Sequence, residues 1–155
     1  MNFRITGLSP EPFRALFGLS DEDLARNGAR RYVADKKPGF PDRIGIRDVE
    51  PGEAVLLVHY EHQPADTPYR ASHAVFVREG ADTTYDADNE IPEALRGRAL
   101  SVRAFDANHM MVDADLGDGT ALESLIERLF SNPDVVYLHA HYATRGCYAA
   151  RIDRA

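Results

Sequence analysis

The chain has 155 residues, of which 44% are hydrophobic and 28% charged, and its formal net charge is −7. This is the size and composition of one globular domain spanning 1–155, and a single cysteine excludes an intramolecular disulfide framework. The negative charge disfavours a nucleic-acid partner, and no run approaches the roughly 18 apolar residues that a membrane span requires.

The first residues, MNFRITGLSPEPF, lack the features of a secretory signal. They contain neither the basic first region nor the apolar region of such a signal. A lone cysteine also fits a reducing compartment. The sequence therefore predicts a cytoplasmic protein without a membrane partner.

The N-terminal half of the chain predicts two short helices and several strands. Residues 3–8 alternate well enough for a short first strand. Residues that start and stop helices bracket 9–18 and again 20–28. The most apolar run, 54–60, predicts a central strand buried on both faces, and 71–79 predicts another strand.

The C-terminal half adds helical turns, two pairs of strands and the clearest helix. In chain order these are helical turns at 92–97, strands at 99–106 and 109–115, a helix within 117–134, and strands at 135–143 and 147–153. About seven strands and three or four short helices, without regular βαβ alternation, predict an α+β domain. We expect a largely antiparallel sheet with the helices packed on one side.

The stretch YLHAHYATRGCYAARID, residues 137–153, predicts a terminal β-hairpin. A three-residue loop that ends with Gly146 in the left-handed region would place Ala143 opposite Cys147. A two- or four-residue loop would turn Cys147 to the core side instead. Because side chains alternate along a strand, the three-residue loop gives one polar face, which consists of Tyr137, His139, His141, Cys147 and Arg151.

This polar face has three interpretations. Imidazole and thiolate both suit zinc, so His139 and His141 with Cys147, or with His62, form a candidate zinc site. The same geometry would support a Cys–His pair with a nucleophilic thiol. The third interpretation is an ordinary half-solvated strand surface without a ligand.

The segment HYEHQPADTPYR is denser in hydrogen-bonding groups than a connection requires. On a regular strand His59 and His62 face opposite ways, so we expect His59 in the strand and His62 at the start of the loop. The prolines would restrict the backbone of the loop and so hold its polar side chains in place for binding. These side chains include Gln63, Tyr69 and Arg70. The alternative is a proline-stabilised turn in which Arg70 pairs with a surface carboxylate.

Five stretches carry a resemblance that runs nearly from end to end: RITGL, ARRYVADKKPGFPDR, PGEAVLLVHYEHQPADTPYRASHAVFVRE, MMVDAD and YLHAHYATRGCYAARIDR. They resemble a family of small single-domain bacterial proteins known only as a domain of unknown function. The resemblance therefore implies no catalytic role. The chain departs from the family pattern at Asp42, His59 and His73. The candidates that remain are His62, Gln63, Tyr69, Arg70, His139, His141 and Cys147.

The first functional hypothesis is a pocket between the 62–70 loop and the hairpin face that binds, or binds and transforms, a small polar or anionic ligand. In it Arg70 and Arg145 or Arg151 would supply charge-assisted hydrogen bonds. His139 or His141 would act as acid or base, with Tyr69 orienting the ligand.

Two other hypotheses stay open. The polar face could lie in a homodimer or partner interface of a non-catalytic interaction module, or it could hold zinc. The chain contains no glycine-rich phosphate loop, nucleophile elbow or His-Glu-x-x-His motif, so the sequence identifies no cofactor.

Overall fold

The computed structural model describes residues 1–155 and contains eleven strands, three α-helices and two 3₁₀ segments. The strands are β1 (Phe3–Thr6), β2 (Arg30–Val33), β3 (Pro41–Asp42), β4 (Arg47–Asp48), β5 (Ala54–Gln63), β6 (Ala71–Arg78), β7 (Asp86–Asp88), β8 (Ala99–Phe105), β9 (Met111–Asp118), β10 (Tyr137–Tyr142) and β11 (Tyr148–Arg154). The helices are α1 (Asp21–Arg26), α2 (Glu93–Arg96) and α3 (Leu122–Phe130), and the 3₁₀ segments are Glu11–Leu16 and Gly119–Ala121.

The strands form three antiparallel sheets, which confirms the predicted α+β class. The large sheet has the order β7-β1-β11-β10-β8-β9, the smaller one has the order β2-β5-β6, and β3 pairs with β4. The strand count exceeds the predicted one because β3, β4 and β7 are only two or three residues long. No helix combines the length and the apolar character that crossing a membrane demands.

One face of the large sheet packs against α2 and α3. The apolar stripe of α3, with Leu122, Ile126 and Leu129, lies in the same core as Leu138 and Ile152 of the central strands. This core explains why α3 forms at that place, since its apolar residues recur at helical spacing and are buried only against the sheet.

The opposite face of the large sheet is covered by the smaller sheet. Val58 of β5 and Val75 of β6 share a second core with Tyr148 of β11. Because the smaller sheet lies over β10 and β11 at this point, polar side chains on that face of β10 are buried within the chain. This arrangement creates the site described below.

The terminal hairpin differs from the predicted register at its turn. The Tyr142 amide donates to the Cys147 carbonyl at 2.9 Å, and the Gly146 amide donates to the Tyr142 carbonyl at 2.8 Å, so the turn has four residues, 143–146. Gly146 does adopt a positive φ of 80°. A register shift follows between Ala140 and His141, beyond which His139 pairs with Arg151, as the sequence predicts.

The turn and the register shift exchange the faces of two residues. Cys147 packs against the large core, so the prediction that it shares the histidine face is wrong. Tyr148, which the three-residue loop would turn away from the histidine face, instead contacts the histidines. The physical reason is the four-residue turn, which is the alternative that turns Cys147 to the core side. The β-bulge that follows adds one residue and returns Arg151 to the histidine face.

Candidate functional site: three buried histidines

Three histidines from two sheets converge on one point. One ring nitrogen from each of His62, His139 and His141 lies within 4.8 Å of the others. Their exposed fractions are 8%, 4% and 1%, so the cluster is closed to bulk solvent on most sides. We call these three residues the histidine trio.

Strand geometry explains how the trio is assembled. His139 and His141 are two residues apart on β10, so alternation places both on the face covered by the smaller sheet. The partner register of β5 shifts by one residue between Tyr60 and Gln63, and His62 and Gln63 are consecutive buried residues there. His62 thus belongs to the bulged end of β5. The sequence-based expectation that it begins the loop is wrong.

Tyr148 contacts every member of the trio. Its ring stacks on that of His62, with centroids 5.2 Å apart and planes within 6° of parallel. The rings of His139 and His141 meet it edge-on, at 5.1 Å and 5.8 Å. Phe105 packs against His139 from β8, with a centroid distance of 5.1 Å. The trio therefore sits in a largely aromatic environment.

The hydrogen bonds of the trio are incomplete. His141 donates from Nδ1 to the Gly146 carbonyl at 2.9 Å, so its lone pair is on Nε2, which lies 3.5 Å from Nη1 of Arg103. The Nδ1 atoms of His62 and His139 are buried and have no hydrogen-bond partner. A buried polar atom without a partner costs about 1–3 kcal/mol, so two such atoms side by side require a physical explanation.

Burial also fixes the charge state of the trio. Desolvation lowers the pKa of His62 to about 4 and the pKa values of His139 and His141 to about 3. Neighbouring positive charge acts in the same direction, since Arg103 disfavours a proton on each of these rings. All three imidazoles are therefore neutral at pH 7, which is the form that binds metal ions.

A pocket of about 260 Å³ opens beside His62 and His139. The Tyr137 hydroxyl in this pocket accepts a hydrogen bond from Gln63 Nε2 at 2.8 Å and lies 2.8 Å from Nδ1 of His109. The complete lining is His62, Gln63, Pro64, Ala65, His109, Tyr137, His139 and Arg151. The pocket lies between the start of the 62–70 segment and the hairpin face.

Four of the sequence-predicted residues meet at this place, namely His62, Gln63, His139 and Arg151, with His141 directly behind them. His109, Tyr148 and Arg103 contribute to the site and were missed. His109 lies in the turn between β8 and β9 with a positive φ of 61°, a conformation uncommon outside glycine. No sequence signal singles it out, since its approach to the site depends on how that hairpin lies against β10.

The other predicted residues lie elsewhere. Tyr69 is surface-exposed and meets the Phe105 ring at 6.4 Å. Arg70 forms an exposed ion pair with Glu61 at 2.9 Å, which matches the alternative of a stiff surface turn. Arg145 is exposed in the hairpin turn. None of these three lines the pocket.

Cys147 is separated from the trio by the sheet. Its sulfur lies 3.0 Å from Nη2 of Arg43, whose guanidinium also donates to the backbone carbonyls of Tyr148 and Pro41. A zinc site made of His139, His141 and Cys147 therefore does not form in this fold. The histidine face is also covered within the chain, so it does not favour the hypothesis of an exposed interaction surface.

Comparison with known proteins identifies a family whose function is unknown. A family model described as "Protein of unknown function (DUF1203)" matches residues 39–154, a range that includes the whole trio and the pocket lining. Searches among curated proteins and among solved structures found no match. The chain belongs to this family of proteins of unknown function.

Proposed function

We propose that this protein binds a divalent transition-metal ion, with zinc as the first choice, through His62, His139 and His141. The observation that carries the proposal is the convergence of three buried, neutral imidazoles whose ring nitrogens lie within 4.8 Å of one another. A metal ion would accept the free lone pairs and so account for ring nitrogens that have no protein partner.

The donor set fits zinc and related metals. Imidazole suits zinc, copper, iron and nickel, whereas calcium and magnesium prefer oxygen ligands. His141 donates a hydrogen bond from Nδ1 to the Gly146 carbonyl, and metal-binding histidines usually make such a bond, which fixes the tautomer that binds the metal. Three protein ligands leave one coordination position free, as in catalytic rather than structural zinc sites.

The free coordination position of the metal gives the pocket a role as the place where a ligand binds. The pocket borders His62 and His139 and is lined by Gln63, Tyr137 and Arg151, all of which have polar groups. We propose that a small polar ligand enters there and completes the coordination of the metal. This retains the ligand pocket that the sequence suggested but gives the histidines another task.

The task of the histidine trio is metal coordination rather than acid–base chemistry. A general acid or base works best when its pKa lies near the working pH. The pKa values of His139 and His141 are held at about 3 by burial, so at neutral pH neither ring is poised to exchange a proton. Neutral imidazoles are, in contrast, already in the state that a metal requires.

Zinc titration of protein purified without a histidine tag tests the proposal. Metal-free protein should bind one zinc per chain by calorimetry. His62→Ala and His139→Ala should each weaken zinc binding by about 100-fold or more, since losing even a residue that only hydrogen-bonds to a ligand weakens metal binding by about 10–100-fold.

His59→Ala is the matched control, because His59 lies on the same strand as His62 but is exposed. It should bind zinc as the natural protein does, and circular dichroism should show all variants folded. Absence of stoichiometric zinc binding, or equal loss in His59→Ala and His139→Ala, would exclude the trio as a metal site.

A cytoplasmic location is a further part of this proposal, whereas a homodimeric state belongs to the alternative of an interaction module. The single cysteine supports a reducing compartment. Fractionation of cells and sedimentation of the purified protein are the direct tests of these two expectations.

A further inference from the structure

Two arginines lie directly opposite His139, one on each strand that neighbours β10. On β10, His139 pairs with Arg103 of β8 on one side and with Arg151 of β11 on the other. Directly opposed residues in antiparallel strands share a face of the sheet, so both arginines lie on the same face as the trio.

Arg103 has a positive charge without a carboxylate partner. It is half-buried, and its guanidinium contacts only Ser101 Oγ at 3.4 Å and His141 Nε2 at 3.5 Å. Arg151, by comparison, pairs with Asp153 at 2.9 Å and lies over the Tyr137 ring at 4.1 Å.

The position of Arg103 conflicts with a metal ion unless an anion is also present. The lone pair of His141 is on Nε2, and Nη1 of Arg103 lies 3.5 Å from that atom. A dication bound there would lie close to a second, partly desolvated positive charge. Burying like charges together is costly, whereas an anion between them would satisfy both.

We propose that the ligand of this site is a small oxyanion of the carboxylate or phosphate type. One of its oxygens would occupy the free metal position, with Arg103 as counter-charge and Arg151 on the pocket side. This inference rests on the proposed metal site. Guanidinium groups are suited to such anions because their planar donors match carboxylate and phosphate oxygens, and a 260 Å³ pocket limits the ligand to a small molecule.

Cobalt-loaded protein, freed of excess metal, tests the proposal through its visible absorption, which reports the cobalt coordination sphere. Acetate and inorganic phosphate are titrated separately against a chloride control of equal ionic strength. We expect a saturable spectral change with at least one of the two anions. A response to acetate alone identifies a carboxylate site, a response to phosphate alone a phosphate site, and a response to both a general oxyanion site.

The variants locate the charge that holds the anion. Arg103→Gln should weaken anion binding by about tenfold or more, since it removes a positive charge and its charge-assisted hydrogen bonds. Arg103→Lys should fall between Arg103→Gln and the natural protein, because it keeps the charge but loses the planar fork. Arg151→Gln should also weaken binding, and Arg70→Gln, at an exposed ion pair outside the pocket, should not.

The outcomes separate this inference from the metal site on which it rests. Stoichiometric cobalt with no response to either anion would overturn the inference and leave the metal site standing. Equal anion binding in Arg103→Gln and Arg70→Gln, with cobalt retained in both, would do the same. Failure of the protein to hold cobalt at all would remove both proposals.

Discussion

The imidazole of His62 lies flat on the phenol ring of Tyr148, with centroids 5.2 Å apart and planes within 6° of parallel. This contact joins the bulged end of β5 to the first residue of β11. Through this contact His62, on the smaller sheet, is held beside His139 and His141 of β10. The stack determines where the His62 ring nitrogens point.

Removing the ring of Tyr148 should loosen the site, whereas removing its hydroxyl should not. Tyr148→Phe keeps the stacked face, and we expect its zinc affinity to stay within about twofold of the natural value. Tyr148→Leu leaves His62 unsupported and opens space in the second core. It should lose about 2–4 kcal/mol of unfolding free energy and weaken zinc binding by about tenfold.

Zinc calorimetry and urea unfolding measure both effects. Equal zinc affinity in Tyr148→Leu and Tyr148→Phe would show that the stack does not position His62.

The tautomer of His141 is a second expectation. Because its Nδ1 donates to the Gly146 carbonyl at 2.9 Å, the proton should reside on Nδ1 in the metal-free protein at pH 7. Long-range ¹H–¹⁵N NMR correlations distinguish the two imidazole nitrogens. A proton on Nε2 would contradict this assignment and would leave that nitrogen unable to bind metal.

The stability of the metal-free protein should fall as the pH is lowered from about 6.5. Unfolded histidine titrates near 6.5, whereas burial holds the pKa of His62 at about 4 and the pKa values of His139 and His141 at about 3. Below pH 6.5 the unfolded chain therefore takes up protons that the folded chain excludes. The stabilising contribution is fully present above 6.5 and declines by about 1.4 kcal/mol per pH unit for each histidine.

Urea unfolding between pH 7.5 and 5 checks this slope before most carboxylates begin to titrate. His139→Gln should show a shallower slope than the natural protein, and His59→Ala should not, because His59 is exposed. A stability that is constant over this range would mean that the three rings are not buried as neutral imidazoles.

Cys147 should be dispensable for metal binding. Its sulfur contacts Arg43 on the core side of the hairpin, so Cys147→Ser should keep zinc affinity within about twofold while lowering the unfolding free energy by about 1 kcal/mol. Calorimetry and urea unfolding of the same preparation measure the two quantities. Loss of zinc binding in Cys147→Ser would restore the His139, His141 and Cys147 site that the sequence suggested.

The fold class was predictable because its signals are local. Alternation marks the strands, and the spacing of Leu122, Ile126 and Leu129 marks the helix against which the large sheet packs. The pairing of His139 with Arg151 could also be predicted, because the apolar residues of both strands have to face the core.

The site was only half predictable because bulges carry no clear sequence signature. The four-residue turn put Tyr148 in place of Cys147 on the site face, the bulge between Ala140 and His141 kept Arg151 there, and the irregularity after Tyr60 turned His62 inward. Arg103 was missed for another reason. Its role depends on β8 lying next to β10, and a single strand sequence does not specify its neighbour in the sheet.

Zinc K-edge X-ray absorption of the one-to-one zinc complex is the most direct test of the central claim, because it counts the ligands and identifies their type. The proposed site predicts three imidazole nitrogens at about 2.0–2.1 Å, with the outer-shell scattering of the rings, and one further light atom. A sulfur shell at about 2.3 Å, or a spectrum without imidazole scattering, would contradict it.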